Sequence, residues 1–268
     1  MTAARARLDA ELVRRGLARS REQAGELVTA GLVAVAGQRA AKPATQVSRD
    51  APITVAEPEK PGYVSRGGHK LAGALEAFGP LGLVVRGRNC LDAGASTGGF
   101  TDVLLREGAA HVVAADVGYG QLAWSLRTDP RVTVMDRVNV RALDQVTLTP
   151  VPELVVADLS FISLALVLPA LVACATRDAD FVLLVKPQFE VGKGRVGAGG
   201  VVRDTTDRSG AVRKVTDAAG QLGLGVQGIT ASPLPGPAGN VEYFVWLRRG
   251  APPLDEDQLM RAIKEGPS

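Results

Sequence analysis

A charged side chain at the end of an apolar run is costly unless it is paired or used. Several such groups stand in this chain of 268 residues. Asp158 follows Leu-Val-Val-Ala, and Lys186 follows Val-Leu-Leu-Val. Asp116 and Asp136 close two other apolar runs, and Glu242 stands at the start of the last one. Any one of them reads as readily as a structural salt bridge. Together, on one rim of a sheet, they read as a site. Lysines and carboxylates gathered in this way can move protons and hold polar substrates.

Beside them runs a second chemical signal, Cys90-Leu-Asp-Ala-Gly-Ala-Ser-Thr-Gly-Gly-Phe-Thr101. A short apolar entry, three glycines and the start of an amphipathic run make a strand, a turn and a helix. Glycines let a backbone pass close to a ligand, and open parallel sheets bind ligands at the carboxyl ends of their strands. The spacing is Gly-x-x-x-Gly-Gly, so the dinucleotide fingerprint is not met, and no Gly-Lys-Ser/Thr follows to make a phosphate loop. Asp92, two residues before Gly94, suits a cationic ligand. The plainer reading is a tight turn in which Ser96 or Thr97 caps a helix. Asp116, 22 residues beyond Gly94, stands where such folds place an acid for ribose hydroxyls. Its spacing fits a helix N-cap equally well.

Apolar residues make up 46% of the chain, enough to fill a core. Net charge is only +3, but residues 1–49 carry nine Lys/Arg against four Asp/Glu, while the remainder carries 22 against 24. A basic front on a near-neutral body suggests a nucleic-acid-binding module; a solvated charged helix would show the same balance. Two distant cysteines and two histidines argue against a disulfide framework and a metal site. The longest apolar run, Leu164 to Ala175, is too short to span a bilayer and contains Pro169. No apolar signal core opens the chain, and a cytoplasmic protein without stable membrane insertion is expected. The oligomeric state is left open.

Periodicity supplies the elements that must position these groups. Leu8, Leu12 and Val13 mark a helix ended by Gly16; Ala24, Leu27 and Val28 mark a second, with Ser20 and Gln23 as a capping box. Arg14, Arg15, Arg19 and Arg21 cluster at their junction. A strand over 32–35, a turn at Gly37 and an edge strand over 53–55 complete a domain of residues 1–60. Residues 61–72 read as a linker that carries Arg66 and Lys70. From 73 to 268, strands and helices alternate: strands 89–94, 111–117, 132–136, 154–159, 181–186, 225–231 and 241–248, with helices 99–107, 121–128, 164–175 and 205–222 between them and a short helix near Leu254 to Lys264. Continuous apolar strands of this kind are buried on both faces, as in a doubly wound α/β sheet.

The arginine-rich front, with Arg-Leu-Asp…Leu-Val-Arg-Arg-Gly-Leu-Ala-x-Ser-Arg and Gly-x-Val-x-Val-x-Gly, resembles the small RNA-binding module first seen in ribosomal protein S-four. That likeness implies that Arg5, Arg7, Arg14, Arg15, Arg19 and Arg21, with Arg66 beyond them, meet RNA phosphates and bases. Asp92-Ala-Gly94 resembles the first motif of methyltransferases that use S-adenosylmethionine. It implies a Rossmann-like class I methyltransferase with a mostly parallel seven-stranded sheet. The cofactor would lie on Asp92, Gly94, Ser96, Thr97, Gly98, Gly99, Phe100, Asp116 and, by analogy only, Asp136 at the adenine edge.

After the fourth strand the chain reads Asp158-Leu-Ser-Phe161, without the prolines of base-amino methyltransferases, and neither cysteine suits attack on a pyrimidine carbon. A hydroxyl acceptor remains. Lys70, Asp158, Lys186 and Glu242 resemble the Lys-Asp-Lys-Glu tetrad of ribose 2′-O-methyltransferases of the FtsJ type. The tetrad implies Lys186 as general base, Lys70 as a second cation orienting the hydroxyl, and Asp158 and Glu242 as positioning groups.

Across nearly its whole length the chain is similar to the TlyA family. The shared pieces include Ser65-Arg-Gly-x-x-Lys-Leu71, Ala115-Asp-Val-Gly-Tyr-Gly-Gln-Leu122, Val185-Lys-Pro-Gln-Phe-Glu190 and Gly239-Asn-x-Glu242. That family implies 2′-O-methylation of cytidine in the RNA of one or both ribosomal subunits, which affects susceptibility to capreomycin-type antibiotics. It has also been labelled haemolysin, so a membrane-active protein is the alternative. Gly67-Gly68-His69 departs from the family at a place where an alanine is common, a departure expected to cost little beyond flexibility.

Overall fold

A computed structural model describes residues 5–18, 20–29, 32–40, 42–55, 62–144 and 148–267. The chain divides into two compact units, 1–62 and 63–268.

The first unit runs β1 (Arg5–Arg7), α1 (Leu8–Arg14), α2 (Arg21–Thr29), β2 (Val33–Val35), β3 (Gln38–Arg39), β4 (Gln46–Ser48) and β5 (Ile53–Val55). β1 pairs with β4, and β2 lies between β3 and the edge strand β5. Leu8, Leu12, Ala24, Val28, Val33 and Val47 are buried together as its core. Strands β1, β3 and β4 are two or three residues long, too short for apolar alternation to reveal them. Asp9 and Glu11, on the first helix, are buried and gather the arginines. Arg7 and Arg21 both reach Asp9, and Arg14 and Arg15 both reach Glu11. These guanidinium groups hold both carboxyls well below the usual carboxylate range.

The second unit runs α3 (Arg66–Phe78), β6 (Asn89–Ala93), α4 (Gly99–Arg106), β7 (His111–Asp116), α5 (Trp124–Arg127), β8 (Val132–Asp136), β9 (Leu154–Ala157), α6 (Leu164–Cys174), β10 (Asp180–Val185), α7 (Pro187–Glu190), α8 (Thr205–Gln221), β11 (Gly225–Ala231), β12 (Tyr243–Arg248) and α9 (Glu256–Glu265). Its seven strands lie in the order β11-β12-β10-β9-β6-β7-β8. Six run in one direction, and β12 runs antiparallel to both of its neighbours. The chain winds outward from β6 to β8 and returns at β9, directly beside β6. The carboxyl ends of β6 and β9 therefore flank the switch point where such sheets open a crevice. Apolar side chains of the central strands fill the core on both faces of the sheet.

Residues 63–72 are not a free linker. Tyr63 packs on the second unit, with the Arg106 guanidinium 4.9 Å from its ring centre and the His69 ring edge-on at 5.0 Å. The Val64 N–H donates to Asp102 at 3.0 Å. Gly68 is demanded by this packing, contrary to the expectation of mere flexibility: a Cβ there would lie 2.3 Å from the Tyr63 Cβ. Tyr63, Val64 and Gly68 thus fix the start of the helix that carries Lys70.

Candidate active site

Each of the four tetrad residues is placed by a different element. Lys70 lies within α3, Asp158 follows β9, Lys186 follows β10, and Glu242 precedes β12. All four line one cleft of about 700 Å³. They meet there as two ion pairs. Lys70 Nζ lies 2.6 Å from Glu242 Oε2, with both side chains buried. Lys186 Nζ lies 2.5 Å from Asp158 Oδ1 and donates to Ser160 Oγ at 3.0 Å. Burying one partner without the other would leave an uncompensated charge in a poorly solvated site. Gly236 leaves the room that the Glu242 carboxylate needs, since a Cβ there would lie 2.5 Å from Oε1.

The glycine turn forms the facing wall, with Gly94, Ala95, Ser96, Thr97, Gly99 and Phe100 lining the cleft. Gly94 has φ +87°, and Asp158 O lies 2.7 Å from where its Cβ would be, so no other residue fits. Neither Ser96 nor Thr97 caps α4; Gly98 stands at the N-cap without a side-chain bond. Its own missing Cβ faces Leu126 and not the cleft. Gly98 thus gives α4 no side-chain cap of its own, while the Asp92 carboxylate beneath the turn accepts from the Thr101 N–H.

A second cavity of about 490 Å³ adjoins the first and shares Gly94, Ser96, Asp158, Ser160 and Phe161 with it. Asp116 lines it and braces the turn, accepting from Ser96 N at 2.8 Å and from Gly118 N at 2.6 Å.

The comparisons with known proteins agree with this geometry. The model of the FtsJ-like methyltransferase family matches residues 63–249, and that of the S4 domain matches residues 6–53. The 16S/23S rRNA (cytidine-2′-O)-methyltransferase TlyA of Mycobacterium tuberculosis is 63% identical over 99% of this chain and 100% of its own length. This chain belongs to the TlyA family of FtsJ-like methyltransferases. Another similar protein, the putative rRNA methyltransferase YqxC of Bacillus subtilis, is 42% identical over 99% of this chain and 95% of its own. A solved structure titled as a putative hemolysin, from Streptococcus thermophilus, matches with a TM-score of 0.72 and 39% identity over 98% of both chains.

Within this TlyA-family fold, three expected site residues besides Gly98 sit differently from the sequence reading. Asp92 does not face the cleft. It is fully buried beneath the turn, where Oδ2 accepts from Thr101 Oγ1 at 2.7 Å and Oδ1 has no hydrogen-bond partner. Asp136 ends β8 level with Asp116, but its carboxylate is taken by the Arg127 guanidinium from α5 and lines neither cavity. Arg15 is used inside the first unit, donating to Ala51 O at 2.8 Å and Arg49 O at 2.5 Å as well as pairing with Glu11. Arg19 and the side chain of Arg5 lie outside the described residues. Arg66 lines the cleft and donates to Pro235 O at 3.2 Å.

The sequence reading passed over Phe161 as a site residue. Its ring is 91% exposed at the junction of the two cavities, 5.2 Å from the ring of Phe189. Its φ of +65° is rare for a side chain of this size. The signal was present in Asp158-Leu-Ser-Phe161, where an aromatic stands three residues beyond a strand-end acid.

Burial pushes the Asp92 carboxyl up to about 7, with the charges of Asp158 and Asp116 adding to the rise and the Thr101 hydroxyl opposing it. The folded chain thus holds this proton more tightly than the unfolded chain does. Stability falls as pH rises from about 4 to about 7, and the cost is constant above that. At about 1.4 kcal/mol per pH unit, Asp92→Asn should gain roughly 2–4 kcal/mol on the wild type between pH 4 and pH 8. Urea denaturation of both proteins across that range checks it; parallel stability curves would refute it.

Proposed function

We propose that this chain transfers a methyl group from S-adenosylmethionine to the 2′-hydroxyl of a cytidine in ribosomal RNA. The observation that carries this reading is the meeting of Lys70, Asp158, Lys186 and Glu242 in one cleft beside the glycine turn. The nature of the RNA and the cytidine rest on the names of the relatives.

The residues present fit the cofactor. The start of α4, where Gly98 supplies no side-chain cap, suits its carboxylate. Asp116, a carboxylate with about four acceptor positions, has two taken by backbone N–H groups and others left for ribose hydroxyls. When bound, the cofactor supplies an electrophilic methyl group on a sulfonium. Lys186, in its neutral form, is the base placed to take the hydroxyl proton. Asp158 and Ser160 hold its Nζ at a fixed point in the cleft. The Lys70–Glu242 pair orients the acceptor oxygen. Much of the rate comes from alignment of oxygen, methyl and sulfur.

Phe161 offers a face on which the target base can stack once it leaves its neighbours. Stacking of this kind contributes about 1–3 kcal/mol. Phe161→Ala should therefore lower kcat/KM for RNA by about ten- to hundredfold while the affinity for S-adenosylmethionine stays the same. Steady-state kinetics with titration of the cofactor tests this, and an unchanged kcat/KM would rule the role out.

The first unit supplies affinity for RNA. Arg7, Arg14 and Arg21 remain about half exposed despite their carboxylate partners, which leaves donors for phosphates. A ribosomal RNA substrate supports a reaction in the cytoplasm. Among the described residues no helix is long and apolar enough to cross a membrane. Labelled methyl transfer to purified ribosomal subunits, run beside a liposome-leakage assay, separates the two histories of the family's names. Incorporation without leakage is expected; leakage that persists in Lys186→Ala, without incorporation, would overturn the proposal.

A further inference from the structure

Phe161 and Asp158 share one loop, and a buried carboxylate outside the tetrad holds the far end of that loop. Glu190, the last residue of α7, is buried. Its Oε2 accepts from Ser163 Oγ at 2.5 Å, and its Oε1 accepts from the N–H of Leu164 at 2.7 Å. Leu164 is the first residue of α6, an eleven-residue helix whose N-cap, Ser163, makes no side-chain cap. Glu190 therefore supplies from a distant segment the anionic cap that the local residue does not. From α8, Lys214 Nζ lies 3.3 Å from Glu190 Oε2 and donates to Glu190 O at 2.8 Å, which offsets the burial of the carboxylate.

The segment 186–190 thus grips the segment 158–164 at three points. Lys186 holds Asp158 and Ser160, Phe189 packs on Phe161, and Glu190 holds Ser163 and Leu164. The left-handed backbone at Phe161 costs about 1–2 kcal/mol and persists only where its surroundings impose it. Without the Glu190 clamp, the loop keeps its Asp158 end, the Phe161–Phe189 contact and the packing of Leu159 and Ile162 on the core, but loses both hydrogen bonds at its far end.

We infer that Glu190 is a positioning residue for methyl transfer, acting through the 158–164 loop to fix Phe161 and the Asp158–Lys186 pair. This inference rests on the proposed function. Full-length Glu190→Ala should lower kcat per folded molecule about ten- to thirtyfold, with affinity for S-adenosylmethionine changed less than about threefold. Glu190→Gln keeps an acceptor for Leu164 N and a group that can meet Ser163, and should retain at least about a third of wild-type kcat. In the Glu190→Ala background, Phe161→Ala should add less than about twofold, because the ring is already misplaced.

The folded fraction is measured by thermal denaturation. Should Glu190→Ala fail to fold, Ser163→Ala removes one of the two loop contacts and should lower kcat severalfold. Wild-type kcat per folded molecule in Glu190→Ala, or in Ser163→Ala where that variant stands in, would overturn the inference, as would full additivity with Phe161→Ala. A wild-type chain that methylates no RNA would instead overturn the proposed function.

Discussion

Lys186→Ala will reduce methyl transfer to ribosomal RNA by at least about 10²-fold, and by as much as about 10⁴-fold, the range that a positioned general base contributes. The loss should fall on kcat. The Lys186 ammonium contacts Asp158 and Ser160 and lines the first cavity but not the second, which Asp116 lines. The affinity for S-adenosylmethionine should therefore stay within severalfold of wild type. Removing the lysine leaves Asp158 without its cation, so some stability will be lost. Lys186→Met keeps most of the buried volume and serves as the partner variant. Single-turnover rates with saturating cofactor decide the matter: either variant turning over at more than about a tenth of the wild-type rate would rule out Lys186 as the base.

Removal of residues 1–62 should have the second large effect, on a different quantity. The remaining unit keeps its own sheet and core, so cofactor affinity should change little. Binding to ribosomal RNA should weaken by about 10²-fold or more, because the exposed Arg7, Arg14 and Arg21 leave with that unit. Phosphate contacts make affinity fall with salt, and losing them flattens that dependence. Filter binding of the two proteins across a salt series measures both. Equal affinities and equal slopes would show that the basic front does not carry the RNA.

How far these results could be read from the residues alone differed from place to place. The strands of the second unit were legible because buried parallel strands are continuous apolar runs, as in Leu154–Ala157 and Asp180–Val185. The set of Lys70, Asp158, Lys186 and Glu242 was legible through its resemblance to the FtsJ-type tetrad, since a single strand-end charge reads as a structural salt bridge. What failed depended on partners that only folding brings into contact, even where they stand nine residues away. Asp136 has the same strand-end signature as Asp116, but only the folded chain brings Arg127 against it. Asp92 precedes the turn as a ligand-facing acid would, yet a strand alternates its faces, and this one points to Thr101. Residues 61–72 read as linker because the contacts that anchor them, to Asp102 and Arg106, lie on another helix. Glu190 carries no local sign at all. Its role depends on α7 ending beside the start of α6.

The most direct measurement is the identity of the product. Purified chain, labelled S-adenosylmethionine and separated ribosomal subunits are incubated, and the RNA is digested to nucleosides. The proposed chemistry requires the label in 2′-O-methylcytidine, present with the wild type and lost with Lys186→Ala. Label in a base-methylated nucleoside, or in 2′-O-methylcytidine at an equal rate with Lys186→Ala, would contradict it.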